Sequence, residues 1–263
     1  MWFPLALLVL GASTSRPASD SGHVVTITAR DYALEMPDTI PAGLTTFRLR
    51  NRGTEYHIAA LARLADGKTV TDFLTAYGTG GEPAWSQAVG GPGPAQPGRE
   101  IATTIVMQPG RYVVFCDVSA RDQVAHWKKG MFKLLTVMPS SNAAAAPESD
   151  VTVTLVDYAF HLSRPLTAGV HTIRVTNASQ ATVHMMAIAR LRPGKTLADE
   201  QKWDHHGLEP VAWTAGTTDL SPGQTSYVRA RLAPGSYGLA CFDEDPDGTP
   251  HIKRGMQEMV TIK

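Results

Sequence analysis

The sequence PGRYVVFC at residues 109–116 returns as PGSYGLAC at residues 234–241, and these two stretches decide the architecture of the chain. Each begins with a Pro-Gly turn, continues as a short apolar-rich run and ends on one of the two cysteines of the protein. A short run of this kind after a turn signal predicts a β-strand. Two matching copies indicate a duplicated β domain.

The duplication extends over most of the chain. DYAL at residues 31–34 recurs as DYAF at residues 157–160, and TTFRLRN at residues 45–51 recurs as HTIRVTN at residues 171–177. The offset between matched residues stays between 125 and 128 throughout. A nearly constant register over this length indicates duplication rather than shared composition.

These matches predict two domains, at residues 22–138 and 151–263, joined by a Pro/Ser/Ala-rich linker at residues 139–150. Within each copy, short period-two runs rich in β-branched residues alternate with turn signals. We therefore predict an all-β chain made of two tandem Greek-key β-sandwich domains. The stretches after Gly67 and Gly194 are the exception and favour a short helix.

Composition narrows the function classes. The 263 residues include 24 Lys and Arg against 24 Asp and Glu, so a basic nucleic-acid groove over the whole protein is excluded. Charged residues make up 18% of the chain, which also contains 23 Gly and 18 Pro, as expected for a compact, turn-rich β protein. Two cysteines are too few for a disulfide-stapled small scaffold.

The first twelve residues, MWFPLALLVLGA, form an apolar run followed by small and polar residues. A run of this length is too short to cross a bilayer, which takes roughly 20 residues, but it suits the core of a signal peptide. We expect residues 1–21 to be a signal peptide, truncated at its start, with its leader. The mature chain is then periplasmic or secreted and has no transmembrane segment. The alternative is a buried first strand.

Each cysteine is followed by a histidine and a methionine at the same spacing, Cys-x9-His-x4-Met, and each copy carries one histidine further upstream. The eight residues are His57, Cys116, His126 and Met131 in the first copy and His184, Cys241, His251 and Met256 in the second. A thiolate, two imidazoles and a soft thioether suit copper that cycles between Cu(I) and Cu(II). The segment from Cys to Met forms one loop between the last two predicted strands. We expect it at one end of the sandwich, near the upstream histidine.

At these residues the chain resembles the cupredoxin family, the blue (type 1) copper domains, in two tandem copies. The resemblance implies that the two His and the Cys of each copy are strong trigonal ligands and that the Met is a weak axial one. It implies one copper ion per domain if both sites are occupied. Nine residues between Cys and His exceed the spacing of the small electron carriers. The resemblance also implies an exposed edge on His126 and His251 as the electron port, beside Trp127 or Ile252.

Other interpretations of these residues stay open. Two cysteines in an exported protein form a disulfide by default, although here each one ends an equivalent strand in a separate repeat. A duplicated site that had already lost its metal would give the same recurrence. The sequence DEDPDG at residues 243–248 imitates the start of a calcium loop, but Arg254 stands where a bidentate Glu is required, so we interpret it as a solvated acidic turn. His205 and His206 suit an exposed loop pair.

Three function classes follow. We expect an electron carrier rather than an enzyme, with an unknown redox partner protein. Copper storage or delivery, or a metal-free interaction module, is the alternative. A nitrite reductase or multicopper oxidase is disfavoured because those families place a His beside the blue-site Cys, whereas Phe115 and Ala240 precede the cysteines here and no His-x-His pair occurs in the chain.

Overall fold

The computed structural model describes residues 22–141, 144–203 and 207–263, and most of these residues lie in β-strands. The strands form two β-sandwich domains in tandem, which confirms the all-β prediction. The predicted signal peptide at residues 1–21 and the pair His205 and His206 lie outside the described residues. Within the described ranges, no helix has the length and apolar character needed to cross a membrane.

The first domain contains nine strands and one helix. They are β1 (His23–Arg30), β2 (Ala33–Glu35), β3 (Thr39–Pro41), β4 (Gly43–Asn51), β5 (Ala60–Arg63), α1 (Val70–Gly80), β6 (Gln87–Gly90), β7 (Glu100–Met107), β8 (Gly110–Phe115) and β9 (Phe132–Met138).

The second domain contains eight strands and one short helix. They are β10 (Val151–Val156), β11 (Ala159–Leu162), β12 (Gly169–Asn177), β13 (His184–Leu191), α2 (Leu197–Gln201), β14 (Val211–Leu220), β15 (Thr225–Leu232), β16 (Gly235–Ala240) and β17 (Gln257–Ile262). The helices α1 and α2 stand where the sequence predicts them.

Each domain packs two sheets face to face. In the first domain the strand orders are β2-β1-β4-β7 and β6-β5-β8-β9-β3, and in the second they are β11-β10-β12-β15 and β14-β13-β16-β17. The first strand of each domain pairs in parallel with a later one, β1 with β4 and β10 with β12. A parallel pair needs a crossover between its strands, so the chain follows a Greek-key path rather than a simple meander.

The period-two pattern of the strands places their apolar residues in the sandwich. In β1, Val25, Ile27 and Ala29 are buried while Thr26 and Thr28 lie on the outer face. Burial of each large aliphatic side chain contributes about 1.5–3 kcal/mol. A one-residue slip of β1 would expose all three apolar residues, so the core also fixes the register.

Both helices begin with the same capping box. The Thr69 hydroxyl accepts a hydrogen bond from the Asp72 backbone N–H, and the Asp72 carboxylate accepts one from the Thr69 N–H. Thr196 and Asp199 repeat this arrangement at α2. Each pair satisfies two backbone donors that the first helical turn leaves free.

The two domains share their sheets across the seam between them. Strand β7 pairs antiparallel with β15, and β6 with β14, so one sheet runs through eight strands and the other through nine. At the seam the backbones of Gly93 and Gly216 touch: a Cβ on Gly93 would lie 3.0 Å from the Gly216 carbonyl carbon. The Thr103 hydroxyl also donates to the Gly216 carbonyl at 2.9 Å. Close backbone approach explains glycine at both positions.

Candidate metal centres

The loop between the last two strands of each domain carries three of the predicted ligands. In the first domain it runs from Cys116, directly after β8, through a 3-10 turn at His126–Lys129, to Met131, directly before β9. Backbone hydrogen bonds close it: the Cys116 N–H donates to the Met131 carbonyl at 3.1 Å, and the Met131 N–H donates to the His126 carbonyl at 3.1 Å. The loop therefore holds its own ligands together without any ion.

The second-domain loop has the same closure. The Cys241 N–H donates to the Met256 carbonyl at 3.2 Å, and the Met256 N–H donates to the His251 carbonyl at 3.0 Å. Gly255 ends the 3-10 turn with a φ of 108°, as Gly130 does in the first domain with a φ of 105°. A left-handed φ at this point explains the Gly-Met pair that the sequence repeats.

We define centre 1 as His57, Cys116, His126 and Met131. His57 lies ahead of β5 and bridges to Ala95, and its Nδ1 comes within 3.1 Å of His126 Nδ1. Cys116 Sγ lies 3.4 Å from His126 Nδ1 and 4.0 Å from His57 Nδ1. All four residues are completely buried.

We define centre 2 as His184, Cys241, His251 and Met256. His184 is the first residue of β13, and its Nδ1 lies 3.1 Å from His251 Nδ1. Cys241 Sγ lies 3.4 Å from His251 Nδ1 and 3.9 Å from His184 Nδ1. The structure thus brings the three predicted strong ligands of each domain together, and the buried Met adjoins them through the backbone.

The donor spacing fits one ion in each centre. Around a single ion, with bonds of about 2.0–2.1 Å to nitrogen and 2.3 Å to sulfur as at zinc, three trigonal donors lie about 3.5–3.8 Å apart. The distances in both centres, from 3.1 to 4.0 Å, bracket that range. Each His/Cys/His group can therefore hold a metal ion with little rearrangement.

Carboxylates set the orientation of the histidine rings in centre 1. The outward Nε2 of His57 lies 2.7 Å from Asp31 Oδ1, and that of His126 lies 2.8 Å from Glu55 Oε2. A carboxylate accepts a hydrogen bond from a nitrogen that carries a proton. Both rings therefore carry their hydrogen on Nε2 and direct the Nδ1 lone pair inward. Two such lone pairs 3.1 Å apart repel each other, and a cation between them removes that repulsion.

Burial keeps the inner groups neutral when no metal is bound. It raises the pKa of the Cys116 thiol and lowers the pKa of His57 and of His126, although their carboxylate partners oppose the shift at the rings. Cys116 Sγ accepts the Ile58 N–H at 3.4 Å, and Cys241 Sγ accepts the Met185 N–H at the same distance. These backbone donors favour a thiolate, and metal binding would release the thiol proton.

Centre 2 has looser outer partners. His184 Nε2 lies 3.7 Å from Asp157 Oδ1, which is too long for a hydrogen bond, and His251 Nε2 lies 3.3 Å from Asp245 Oδ1. Neither nitrogen has a hydrogen-bond partner of good geometry among the residues that the structure describes. Burial and the neighbouring His251 lower the pKa of His184 to about 4.

Two expectations about the electron port are wrong. His126 is 0% exposed and His251 is 1% exposed, so neither ring presents an edge to solvent. Ile252 is buried with Trp213 and Phe242 and offers no surface for contact. The rings are covered because the turn after the first strand of each domain folds over them, a tertiary contact that the spacing of the ligands does not encode.

The interpretation of residues 243–248 as a solvated acidic turn also needs correction. Asp243 Oδ2 lies 3.5 Å from Cys241 Sγ, and Asp245 faces His251 as described above. Of the three aspartates only Asp247 is exposed, where it pairs with Arg254, and the intervening Glu244 is exposed as well. The sequence contains a signal for this role, because the acidic run lies inside the spacer between Cys241 and His251.

The disulfide alternative is wrong, because both cysteines are free and buried. Asp31 and Glu55 are site residues that the sequence analysis did not identify, although Asp31 belongs to the repeated DYA motif.

Comparisons with known proteins find similar solved structures at low identity. No protein-family model and no curated protein matches the chain. An auracyanin from Roseiflexus castenholzii is 19% identical, with 43% of this chain and 94% of that chain covered at a TM-score of 0.32. A copper-containing nitrite reductase from Thermus scotoductus is 13% identical, with 92% of this chain but 61% of that chain covered at a TM-score of 0.26.

A copper nitrite reductase from Nitrosomonas europaea is also 13% identical, with 91% of this chain and 93% of that chain covered at a TM-score of 0.27. At these identities and scores the assignment rests on the strand order, the internal repeat and the His/Cys/His geometry. On those grounds the chain is a tandem pair of cupredoxin-like β-sandwich domains.

Proposed function

We propose that the protein is an exported copper protein that transfers one electron at a time through a type 1 copper ion in each domain. In centre 1 the strong ligands would be His57, Cys116 and His126, with Met131 as the weak axial ligand. In centre 2 the same roles would fall to the matching residues, His184, Cys241, His251 and Met256.

One observation carries the proposal: in both domains two imidazole Nδ1 atoms and one thiol sulfur converge within 3.1–4.0 Å in a fully buried site. Two imidazoles with one thiolate and a thioether nearby make up the donor set that suits copper in both oxidation states. Zinc sites, in contrast, use four strong N, S or O ligands. When bound, copper would supply the one-electron chemistry, and the protein would supply fixed ligands that need not rearrange.

The surroundings favour a carrier over an enzyme. Phe115 and Ala240 precede the cysteines, and Asp117 and Phe242 follow them, so no histidine next to the thiolate leads to a second metal. The ligands of both centres are buried, which leaves a substrate no direct access to the ion. A one-electron carrier needs a redox partner protein rather than a substrate pocket, and we infer such a partner here.

The test is metal loading of the purified protein. We expect two equivalents of Cu(II) to bind and to produce the intense blue absorption of thiolate-to-copper charge transfer. Cys116→Ser and Cys241→Ser should each remove one equivalent and part of the colour, and the double variant should remain colourless.

Three other outcomes would replace the proposal. Tight binding of Cu(I) without any blue Cu(II) form would favour storage or delivery. Turnover of nitrite or of a phenol that scales with copper loading would favour an enzyme. Absence of copper binding to the folded protein would favour a metal-free interaction module.

A further inference from the structure

The Asp-Tyr-Ala motif is the clearest part of the repeat that the ligand sets leave unexplained. Asp31 and Tyr32 follow β1 directly, and Asp157 and Tyr158 follow β10. An Asp at a strand end is a common turn residue. The Tyr beside it is half-buried at both positions, which indicates that it packs against other residues. In both domains it packs against the candidate metal centre.

In the first domain the pair covers both histidines. Asp31 accepts a hydrogen bond from the outward nitrogen of His57 at 2.7 Å. The Tyr32 ring lies against the other ligand, with its centroid 4.8 Å from that of His126 and the planes at 53°. Lys129 Nζ lies 4.9 Å from the Tyr32 ring, a cation–π contact that helps to hold the ring in place.

In the second domain the tyrosine has the same position and an additional anchor. The Tyr158 centroid lies 5.3 Å from that of His251 and 6.3 Å from that of His184. Its hydroxyl donates to Asp245 at 2.8 Å, and Arg254 donates to the same carboxylate at 2.9 Å. The ring therefore spans both histidines and is fixed at its outer end.

From this geometry we propose that Tyr32 with Asp31 in the first domain, and Tyr158 in the second, form a cap that closes the metal centre and controls the entry and exit of copper. The inference rests on the proposed function, since it assigns a task to residues around the same sites. The histidines lie at a loop end of the sandwich, where rings would meet solvent, and yet they are 0–1% exposed. The tyrosine is half-buried and forms part of the covering layer.

A closed cap separates two processes. An electron can cross the contact between the tyrosine and histidine rings without any movement, so the cap is compatible with a carrier. A copper ion or a chelator cannot pass until the turn moves away, so copper exchange depends on local opening. The cap thus favours retention of the ion and opposes delivery to another protein.

The first experiment uses the metal-free protein, so it does not depend on copper binding. Alkylation of Cys116 by iodoacetamide is measured in the Cys241→Ser variant, with and without Tyr32→Ala. We expect Tyr32→Ala to speed alkylation about tenfold or more, because the buried thiol reacts only after local opening. Tyr32→Phe keeps the ring and should react at the parent rate. Tyr158→Ala is measured for Cys241 in the Cys116→Ser variant.

The matched control is Tyr227→Ala, which removes a half-buried tyrosine from the outer face of β15, a strand that pairs with β12 and β7 rather than with a strand that flanks either loop. It should leave alkylation unchanged. The unfolding temperature of each variant is recorded, since global destabilisation would speed the reaction in the control as well. Equal alkylation rates in Tyr32→Ala and its parent, or the same acceleration in Tyr227→Ala, would overturn the cap.

The second experiment loads the single-centre variants with Cu(I) and follows copper loss to a Cu(I) chelator, bicinchoninate. With an intact cap the loss rate should reach a plateau as chelator rises, because opening becomes limiting. In Tyr32→Ala or Tyr158→Ala it should keep rising in proportion to the chelator. A proportional rate in the parent protein would contradict the proposal. Failure to load copper would count against the proposed function alone, since the alkylation result stands independently.

Discussion

In centre 1 both outward histidine nitrogens are held by carboxylates, at 2.7 and 2.8 Å, whereas in centre 2 the corresponding distances are 3.7 and 3.3 Å. The inner donor atoms of the two centres, in contrast, agree in number, type and spacing. A duplicated site has therefore kept its ligands and changed what surrounds them. The difference matters because carboxylates that accept the second nitrogen of a ligand histidine make that ligand more basic.

One residue on the loop after β4 explains why Asp31 lies closer to His57 than Asp157 lies to His184. Gly53 and Ser179 are structurally equivalent, since the N–H of each donates to the Asn that ends the preceding strand. A Cβ on Gly53 would lie 2.6 Å from His57 Nε2 and closer still to Asp31, so glycine leaves room for the contact. Ser179 has a Cβ, and Asp157 stands away with 59% of its side chain exposed.

The carboxylate that faces His126 comes from a different element than the carboxylate that faces His251. In centre 1 it is Glu55, whose structural counterpart in the second domain is Thr182: the side-chain amides of Asn51 and Asn177 donate to their respective carbonyls. In centre 2 it is Asp245, which lies on the Cys-to-His loop. An outer carboxylate has only to reach one nitrogen, so any nearby element can supply it.

The tighter carboxylates should give centre 1 the higher affinity for Cu(II). The largest expected effect is that of Asp31→Ala, measured with only centre 1 present in the Cys241→Ser background. Loss of the hydrogen bond to His57 should weaken Cu(II) binding about 10–100-fold. Competition titration against a Cu(II) chelator, read by the blue absorption, gives the dissociation constant.

The comparison needs the matching change in centre 2. Asp157→Ala in the Cys116→Ser background removes a carboxylate that makes no hydrogen bond to His184, so its effect should stay below about threefold. If both substitutions weaken binding equally, the carboxylates act only through their charge, and the contrast between the centres loses its basis.

A smaller loss of Cu(II) affinity is expected from a substitution that leaves the Asp31 carboxylate itself in place. Gly53→Ala introduces a Cβ into the space between Asp31 and His57 and should push the carboxylate away, so that centre 1 comes to resemble centre 2. We expect Cu(II) binding to weaken about tenfold. Gly80→Ala is the control, because a Cβ there would meet no atom of the described part of the chain within 4 Å. Unchanged affinity in Gly53→Ala would show that the carboxylate adjusts without losing its contact.

The repeat and the ligand spacing were enough to predict the two sandwiches and the eight ligand candidates, because duplication exposes spacing directly. The outer carboxylates were not predictable in the same way. Asp31 resembles a turn residue, Glu55 has no acidic counterpart in the second copy, and Asp245 lies in a run that imitates a calcium loop. The pairing of β7 with β15 was equally hidden, since a strand pattern shows which face is buried but not which edge is covered.

Reduction potentials offer a third way to sharpen the contrast. If the carboxylates stabilise Cu(II) more than Cu(I), centre 1 should have the lower potential, by about 60 mV for each tenfold difference in the affinity ratio. Potentiometric titration of the two single-cysteine variants measures both values. A higher potential at centre 1 would mean that other groups dominate. The foremost of these is the Asp243 carboxylate, which lies 3.5 Å from Cys241 Sγ, whereas Val118 stands at the matching position after Cys116.

The smallest effect concerns the metal-free protein. Burial lowers the pKa of both His57 and His184. The hydrogen bond that His57 donates to Asp31 opposes this shift, whereas the pKa of His184 falls to about 4. A histidine whose pKa is lower in the folded state than in the unfolded state, where it is near 6.5, stabilises the fold at pH values above 6.5. That contribution is lost as the pH falls toward the pKa of the folded state. We therefore expect NMR titration to show His57 protonating at a higher pH than His184. In Asp31→Asn this gap should narrow, because the charge that supports the His57 imidazolium is gone; a gap that persists would assign it to burial alone.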